Sequence, residues 1–490
     1  MSPKRVQNFL INIICLACVC VLCSCARYTE IPLHSVKTDI AMGQELASQV
    51  NLKMGVYEHP DLTPYVKKVC ERVAKDHKDQ RFDYEVAILD SPVVNAFAIP
   101  GGNLYVSRGI LAATNNEAEL AHIMGHEIIH ISRRHSARSM ARSVLPALLS
   151  LPGRIVGGVL NKRLGDFINA PLNLTGGAIV SSHSRHDEFE SDRYGQTLAA
   201  QSGYNPNALP SMLTRMEKLD QVLTGKKRTA GFFDTHPMTP DRTKRLSKTA
   251  AEMEWTAKPG IAGSPDNYLR TLDGLIVGEN PTNGIFKDKK FIHPVLDFSV
   301  TFPDDWKTFN TPTSVIAVQP DTEALLVLKV AGKNFPAKEK AISFKHQLKR
   351  EYGVTPLSER EVKVAKLPGY LLTYVENTKK EEMYMHFLWF EYGDRLYQLT
   401  GMGPERYRPI LKKAALSFRP LQKDELDSIK ETRLRIVSAT ANETLEGLNK
   451  RSGNTWSLEY TAVINSINQD QVLKKEQLVK IAVDGKYNID

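Results

Sequence analysis

From about residue 35 to 255 apolar residues recur at three- and four-residue spacing, the mark of amphipathic helices. The stretch 65–74, which contains Cys70, shows that spacing and predicts a helix with the thiol on its buried face. Lys258-Pro-Gly-Ile-Ala-Gly-Ser-Pro265 then breaks the pattern and reads as a linker. Beyond it, over about 266–420, the period falls to two. Leu296, Phe298, Val300 and Phe302 alternate up to Pro303, residues 383–390 form a second strand candidate, and a charged helix is predicted over Ala337–Tyr352. The last segment, 433–483, reads strand, helix, helix, strand. The predicted fold class is therefore α+β and multidomain: a mainly helical unit at 35–255, a small α+β unit at 266–420 and a βααβ unit at 433–483.

A different pattern precedes all of this. Lys4 and Arg5 lead into an apolar run over 9–22, too short to span a bilayer but of signal-peptide length. Leu22-Cys23-Ser24-Cys25 resembles a bacterial lipobox, which predicts cleavage after residue 24 and lipid on Cys25. Such cleavage removes Cys15, Cys18, Cys20 and Cys23, leaving Cys70 as the one unmodified thiol and no disulfide framework. The remaining composition is ordinary for a globular protein: 490 residues, 42% hydrophobic, 24% charged, net charge +9. The positive surplus suits an anionic envelope surface. No segment resembles a nucleic-acid module, so no nucleic-acid partner is expected.

The chemistry concentrates in two stretches. In Gly125-His126-Glu127-Ile-Ile-His130, the two histidines are four residues apart on a predicted helix, so both imidazoles reach one zinc ion. Glu127 lies about 100° round that helix, where a carboxylate serves as base without being a ligand. Thr114 and Glu117 have capping-box spacing and predict where the helix begins. Downstream, Glu188 and Asp192 are again four apart: Glu188 completes a His₂Glu set, and Asp192 is placed to orient a ligating imidazole. Glu190 points elsewhere and reads as surface.

With these residues in view the chain resembles the zinc metallopeptidase family of HtpX and the CAAX prenyl proteases, in its soluble periplasmic lipoprotein branch. The resemblance covers about 35–255. It rests on the Asn95-to-Gly109 block, Gly125-to-His130 with His135, Ser184-Arg-x-x-Glu188-x-x-x-Asp192, and Thr235-His236-Pro237 followed by Arg242. It implies a gluzincin-type domain with a small edge-strand sheet, one zinc per chain held by His126, His130 and Glu188, and Glu127 as base. It also implies that the strand Asn103, Leu104, Tyr105, Val106 forms the edge on which extended substrate adds, with Gly101-Gly102 at its entrance. His236 or Arg242 is the candidate oxyanion donor. Two further readings of His236 stand beside that one: a cap on the open zinc position, as the branch suggests, or a structural loop residue.

Other histidines receive plainer readings. His122 packs beside the site, His135 is a supporting or surface residue, and the directions of His183 and His186 are open. The apolar stretch 143–182, interrupted by Arg154, Lys162 and Arg163, reads as a lid, a membrane-facing pair or packed core, not a span. The segment 433–483 resembles a LysM module through Thr444, Leu445 and Asn465, though Asn442-Glu443 replaces the usual Gly-Asp and no Gly precedes Leu478. The function expected is a lipid-anchored endopeptidase of misfolded or stalled envelope proteins. Its partners would be polypeptide substrates, a membrane through Cys25, and peptidoglycan or outer-membrane assembly proteins. A non-proteolytic assembly factor with a capped metal site and a cell-wall hydrolase are the rivals.

Overall fold

The computed structural model describes residues 35–138, 183–223, 231–239, 241–321, 323–377 and 381–488. The leader, Cys25 and the stretch 143–182 lie outside them. Among the described residues no helix is long and apolar enough to cross a membrane. The architecture is mixed α+β, with a helical region first and β-rich sheets after it.

The helical region opens with α1 (Val36–Met54) and α2 (Leu62–Lys75), then a small sheet of β1 (Glu85–Leu89), β2 (Ala96–Ile99) and β3 (Asn103–Ser107). There follow α3 (Arg108–Ala113), α4 (Glu117–Ser132), α5 (Arg185–Gln201), α6 (Ala208–Leu223), the one-turn α7 (Phe232–Thr235) and α8 (Arg242–Glu252). Cys70 is buried on the inner face of α2 beside Val66, Val69 and Val73, where burial pushes its thiol up to about 12. The start of α4 falls two residues later than the Thr114 cap predicts. Asn116 takes that role by accepting from Glu119 N, and Glu119 reaches back to Asn115 N. Thr114 instead closes α3, its N–H donating to Ile110 and Leu111 carbonyls.

The sheet order is β1-β3-β2, with β3 parallel to β1 and antiparallel to β2. This corrects the expectation for Asn103–Val106: both hydrogen-bonding sides of that strand are occupied, so no substrate strand adds there. Gly101 and Gly102 are likewise not an entrance. Both have positive φ, and a Cβ on Gly102 would lie 1.9 Å from Asp83 O, so they make a tight turn packed under the chain. Among the described residues β1 and β2 are the outer strands of this sheet, and the end of β1 is bridged on its outer side by Val56, with Tyr57 N donating to Ile88 O.

The segment 258–264 has no helix or strand, as a linker should, yet it is pinned. The Glu117 carboxylate accepts from Ile261 N and Ala262 N, each at 2.6 Å, and from the hydroxyls of Tyr65 and Tyr204. Arg72 holds Pro259 O. The chain then enters α9 (Pro265–Thr271), whose Tyr268 and Leu269, with Leu272, Leu275 and Ile276, share one core with Leu120 and Ile128 of α4.

Residues 285–420 build two packed sheets and two helices, the shorter helix being Arg408–Leu416. A seven-stranded antiparallel sheet contains β7 (Lys307–Thr311), β8 (Ser314–Val318), β9 (Leu325–Lys333), β10 (Ser358–Val364), β11 (Leu367–Asn377), β12 (Glu382–Tyr392) and β13 (Arg395–Pro404), in the order β10-β11-β12-β13-β9-β8-β7. Helix α10 (Ala337–Tyr352), with the bounds its charge pattern predicts, buries Ala341, Phe344 and Leu348 against Leu372, Phe387 and Trp389. The other face packs on a small sheet of β4 (Ile285–Lys287), β5 (Lys290–His293), β6 (Phe298–Thr301) and β14 (Arg419–Pro420) through Phe291, Phe298, Val300 and Phe302.

The final segment folds as β15 (Lys430–Ser438), α11 (Leu445–Ser452), α12 (Leu458–Ile464) and β16 (Leu478–Lys486), with β15 and β16 antiparallel. Its LysM-matching residues hold this frame. Thr444 caps α11, and the Asn465 amide clasps the Lys480 backbone on both sides. Lys480 itself is fully buried and donates to the carbonyls of Ala112 and Thr114 at 2.7 and 2.9 Å, just ahead of α4. Burial, with Arg215 nearby, holds its pKa well below the usual lysine range. Lys480→Met keeps the stem's volume but strands two buried carbonyls; urea unfolding should show a loss of about 2–3 kcal/mol.

Candidate metal centre

Helices α4 and α5 touch backbone to backbone. A Cβ on Gly125 would lie 2.6 Å from Gly195 O, and one on Gly195 would lie 2.6 Å from His126 N. Only glycines at both positions permit this approach, and it brings the donors of one helix against those of the other. His126 and His130 project from α4, with Nε2 atoms 2.9 Å apart. From α5, Glu188 places its carboxylate 3.6 Å from His126 Nε2 and 3.3 Å from His130 Nε2. Asp192, one turn on, sets Oδ1 3.1 Å from His126 Nδ1.

His236 ends α7 and enters the same cluster. Its Nδ1 stands 3.0 Å from Glu188 Oε1 and 3.2 Å from His126 Nε2, and its ring stacks on Phe232. The other ring nitrogen, Nε2, lies 3.1 Å from Ala96 O on the outer side of β2 and 3.4 Å from Glu127 Oε1. Phe232 N also donates to Val94 O, so the 231–236 segment runs along the residues that lead into β2. Arg242 lies behind the cluster. Its guanidinium donates to both Asp192 oxygens at 2.6 and 2.7 Å, stands 3.1 Å from Glu188 Oε2, and donates to His236 O. Being fully engaged there, it braces the site, and the oxyanion-donor expectation for Arg242 does not fit.

The electrostatics follow from burial opposed by pairing. From protein groups alone, burial raises the Glu127 carboxyl above its usual range, and His236 and His126 only partly oppose this. Among the described residues neither Glu127 oxygen accepts a hydrogen bond. Burial acts the same way on Glu188, but His236 and the His130 contact outweigh it and hold the group well below the carboxylate range. Burial alone would depress His236, yet Glu188 and Glu127 carry it up to about 9. For His130, burial and the neighbouring His183 ring favour the neutral form strongly. Asp192 stays ionised despite burial because Arg242 and His126 face it.

The donor set suits zinc. His126, His130, Glu188 and His236 are all buried and offer atoms within 4.8 Å of one another. Tetrahedral bonds of about 2.0–2.1 Å place neighbouring donors about 3.3–3.4 Å apart, and the contacts named above straddle that value. Zinc bound there would be held by His126, His130 and Glu188, with His236 at the fourth side.

Several supporting residues differ from their sequence readings. Glu190 is half-buried rather than surface, its Oε2 3.0 Å from His135 Nε2. His135 is buried against His130. His183 stacks on the His130 ring with centroids 3.9 Å apart, whereas His186 is exposed. His122 is turned away from the donors and bonds Asn205 O; burial lowers its pKa to about 4. No local pattern distinguishes these histidines, because their directions depend on how α5 crosses α4.

Residues 60–250 match the family model described as Peptidase family M48. With the buried His/His/Glu/His cluster, this makes the domain a zinc metallopeptidase. Beta-barrel assembly-enhancing proteases of Yersinia pestis and Escherichia coli (strain K12) are each 27% identical, over 48% and 50% of this chain and the same shares of theirs. The mitochondrial metalloendopeptidase OMA1 of Arabidopsis thaliana is 29% identical over 38% of this chain and 36% of its own. The chain thus spans about half the length, or less, of these curated relatives. Gly195→Ala tests the helix contact that assembles the centre. The added methyl should cost about 1–3 kcal/mol in thermal unfolding and weaken zinc retention about tenfold in chelator competition.

Proposed function

We propose that this chain is a zinc-dependent endopeptidase of a bacterial cell envelope, anchored by lipid on Cys25 and held latent by His236. The observation that carries the reading is Glu127: a fully buried carboxylate whose oxygens accept no hydrogen bond among the described residues, one residue from His126 and beside the three donors His126, His130 and Glu188. When bound, zinc supplies a Lewis acid for the scissile carbonyl and the attacking water. Glu127 takes the water's proton and returns it to the leaving amine. Asp192 fixes the His126 ring, and Arg242 keeps Asp192 ionised.

Substrate enters as an extended segment along the outer side of β2, the strand nearest the donors, in place of the Asn103–Val106 edge. The latch engages Val94 O, just ahead of β2, through Phe232 N and Ala96 O through His236, while the Ser136 hydroxyl holds Ala98 O. One displacement of 231–236 therefore frees the fourth donor position together with the edge at Val94 and Ala96. Misfolded or stalled envelope proteins are the substrate class we infer, following the relatives named for assembly of β-barrels. The lipobox-like Leu22-to-Cys25 supports lipidation, and Ala26 rather than Asp after the cysteine favours the outer membrane.

The capped centre also supports a second reading, a non-proteolytic envelope assembly factor. A cell-wall hydrolase has less behind it, since Thr444 and Asn465 serve the module's own frame. With unfolded casein, Glu127→Gln should retain zinc and lose about 10²–10⁴-fold in rate, while His236→Ala should exceed the wild type. Undiminished cleavage by Glu127→Gln would overturn the mechanism. Inactivity of all three proteins, with polypeptide binding retained, would favour the assembly factor.

A further inference from the structure

We propose that His135 is a positioning residue that fixes His130 in the tautomer able to bind zinc, with Glu190 fixing His135 in turn. This rests on the metallopeptidase reading of the same centre and adds to it the means by which its second histidine is aimed.

The two ligand histidines are supported differently. His126 has a carboxylate on its rear nitrogen, with Asp192 Oδ1 3.1 Å from Nδ1. The rear nitrogen of His130 faces another ring: His135 Nδ1 lies 3.1 Å from His130 Nδ1, and both residues are 0% exposed. Two imidazole nitrogens bond only when one carries a proton and the other a lone pair. A proton on His135 Nδ1 would force the His130 proton onto Nε2, the atom aimed at Glu188 and His126, and remove its electron pair from the centre. A proton on His130 Nδ1 leaves Nε2 bare.

The surroundings of His135 select the second arrangement. Its Nε2 stands 3.0 Å from Glu190 Oε2 and 3.5 Å from Asp187 Oδ1. Carboxylate oxygens accept, so Nε2 carries the proton and a neutral His135 presents an unprotonated Nδ1 to His130. The order of donors is then one-way, from His130 Nδ1–H to His135 and from His135 Nε2–H to Glu190. Glu190 is the nearer terminus, since Asp187 is committed to capping α5 through Ser184 and to Arg138. Arg133 steadies Glu190 from the other side at 3.1 Å. The Ser191 hydroxyl, 3.2 Å from His135 Nδ1, competes for the same lone pair but can rotate away.

The backbone brings His135 to this place. Helix α4 stops at Ser132, and Arg134 adopts φ 59°, a left-handed conformation uncommon for a long side chain. Its guanidinium is locked on Asp39 of α1 by contacts of 2.6 and 3.0 Å. The turn folds His135 back against His130, which is held from its flat face by the His183 stack.

The test uses the full chain and zinc itself. The zinc dissociation constant is measured by competition with a chromophoric chelator for wild type, His135→Phe, His135→Gln and Ser191→Ala. Phe fills the ring's space without hydrogen bonding, and zinc affinity should fall about 10–100-fold. Gln offers an accepting oxygen and a donating amide, and should stay within about threefold of wild type. Ser191→Ala should bind as wild type. Wild-type affinity in a folded His135→Phe overturns the relay, and so does equal weakening by Phe and Gln, which would mark mere packing. Nitrogen-15 histidine spectra of the zinc-loaded wild type decide independently of any variant. They should show His135 protonated at Nε2 and His130 at Nδ1; a proton on His135 Nδ1 overturns the proposal. A wild type that binds no zinc would instead overturn the metallopeptidase reading itself.

Discussion

The contact between α4 and α5 at Gly125 and Gly195 is the constraint on which the centre depends. Two helices with side chains at their crossing stay about 8–10 Å apart. Here the crossing carries none, and the donors on either side, His126 and His130 on one helix and Glu188 on the other, converge without long side chains stretching to meet. The geometry is thus set by backbone, and the imidazoles need only the right rotamers. Closeness also explains the dryness of the site: His130 and Glu127 are wholly buried because nothing separates the helices at this level.

Such closeness gathers charge, and its balance gives the cluster its character. Three carboxylates, Glu127, Glu188 and Asp192, sit in one buried space with Arg242 and the histidines. Buried charges persist only when paired. Arg242 answers Asp192 and shares Glu188; what remains falls to His236, whose proton affinity Glu188 and Glu127 raise against burial. A metal ion entering among the same donors supplies that positive charge itself.

What the sequence reveals is whatever local spacing determines. Four-residue spacings make His126 with His130 and Glu188 with Asp192 recognisable as pairs, and the charged helix Ala337–Tyr352 is legible between its strands. The order of strands is not local. Nothing in Asn103–Val106 tells that β1 and β2 take both its sides, so its interior place in the sheet is visible only in the fold. Glu190 was misplaced for a related reason: on an isolated helix it diverges from Glu188, but His135 comes round a left-handed turn to meet it. The cap of α4 shifted because Asn116 offers its side chain to Glu119 N while Thr114 is already used in closing α3.

The same limit explains why the accessory segments look detached in sequence and are not. Three remote elements converge on the entry to α4. Glu117 in its first turn ties down 261–262 of the linker, Arg215 of α6 pairs with Glu119, and Lys480 of β16 satisfies the carbonyls of Ala112 and Thr114. Ser466 adds a bond to Asn115. The acidic first turn complements the helix dipole, and each acid is at the same time a tether. A helix that must hold two ligands in register against a partner it touches through glycine has little side-chain packing at that point to keep it from sliding. Anchoring its first turn to the linker, to α6 and to the last strand supplies the restraint from the end. On this argument the βααβ segment acts on the centre by bracing α4, whether or not it also binds anything outside the chain.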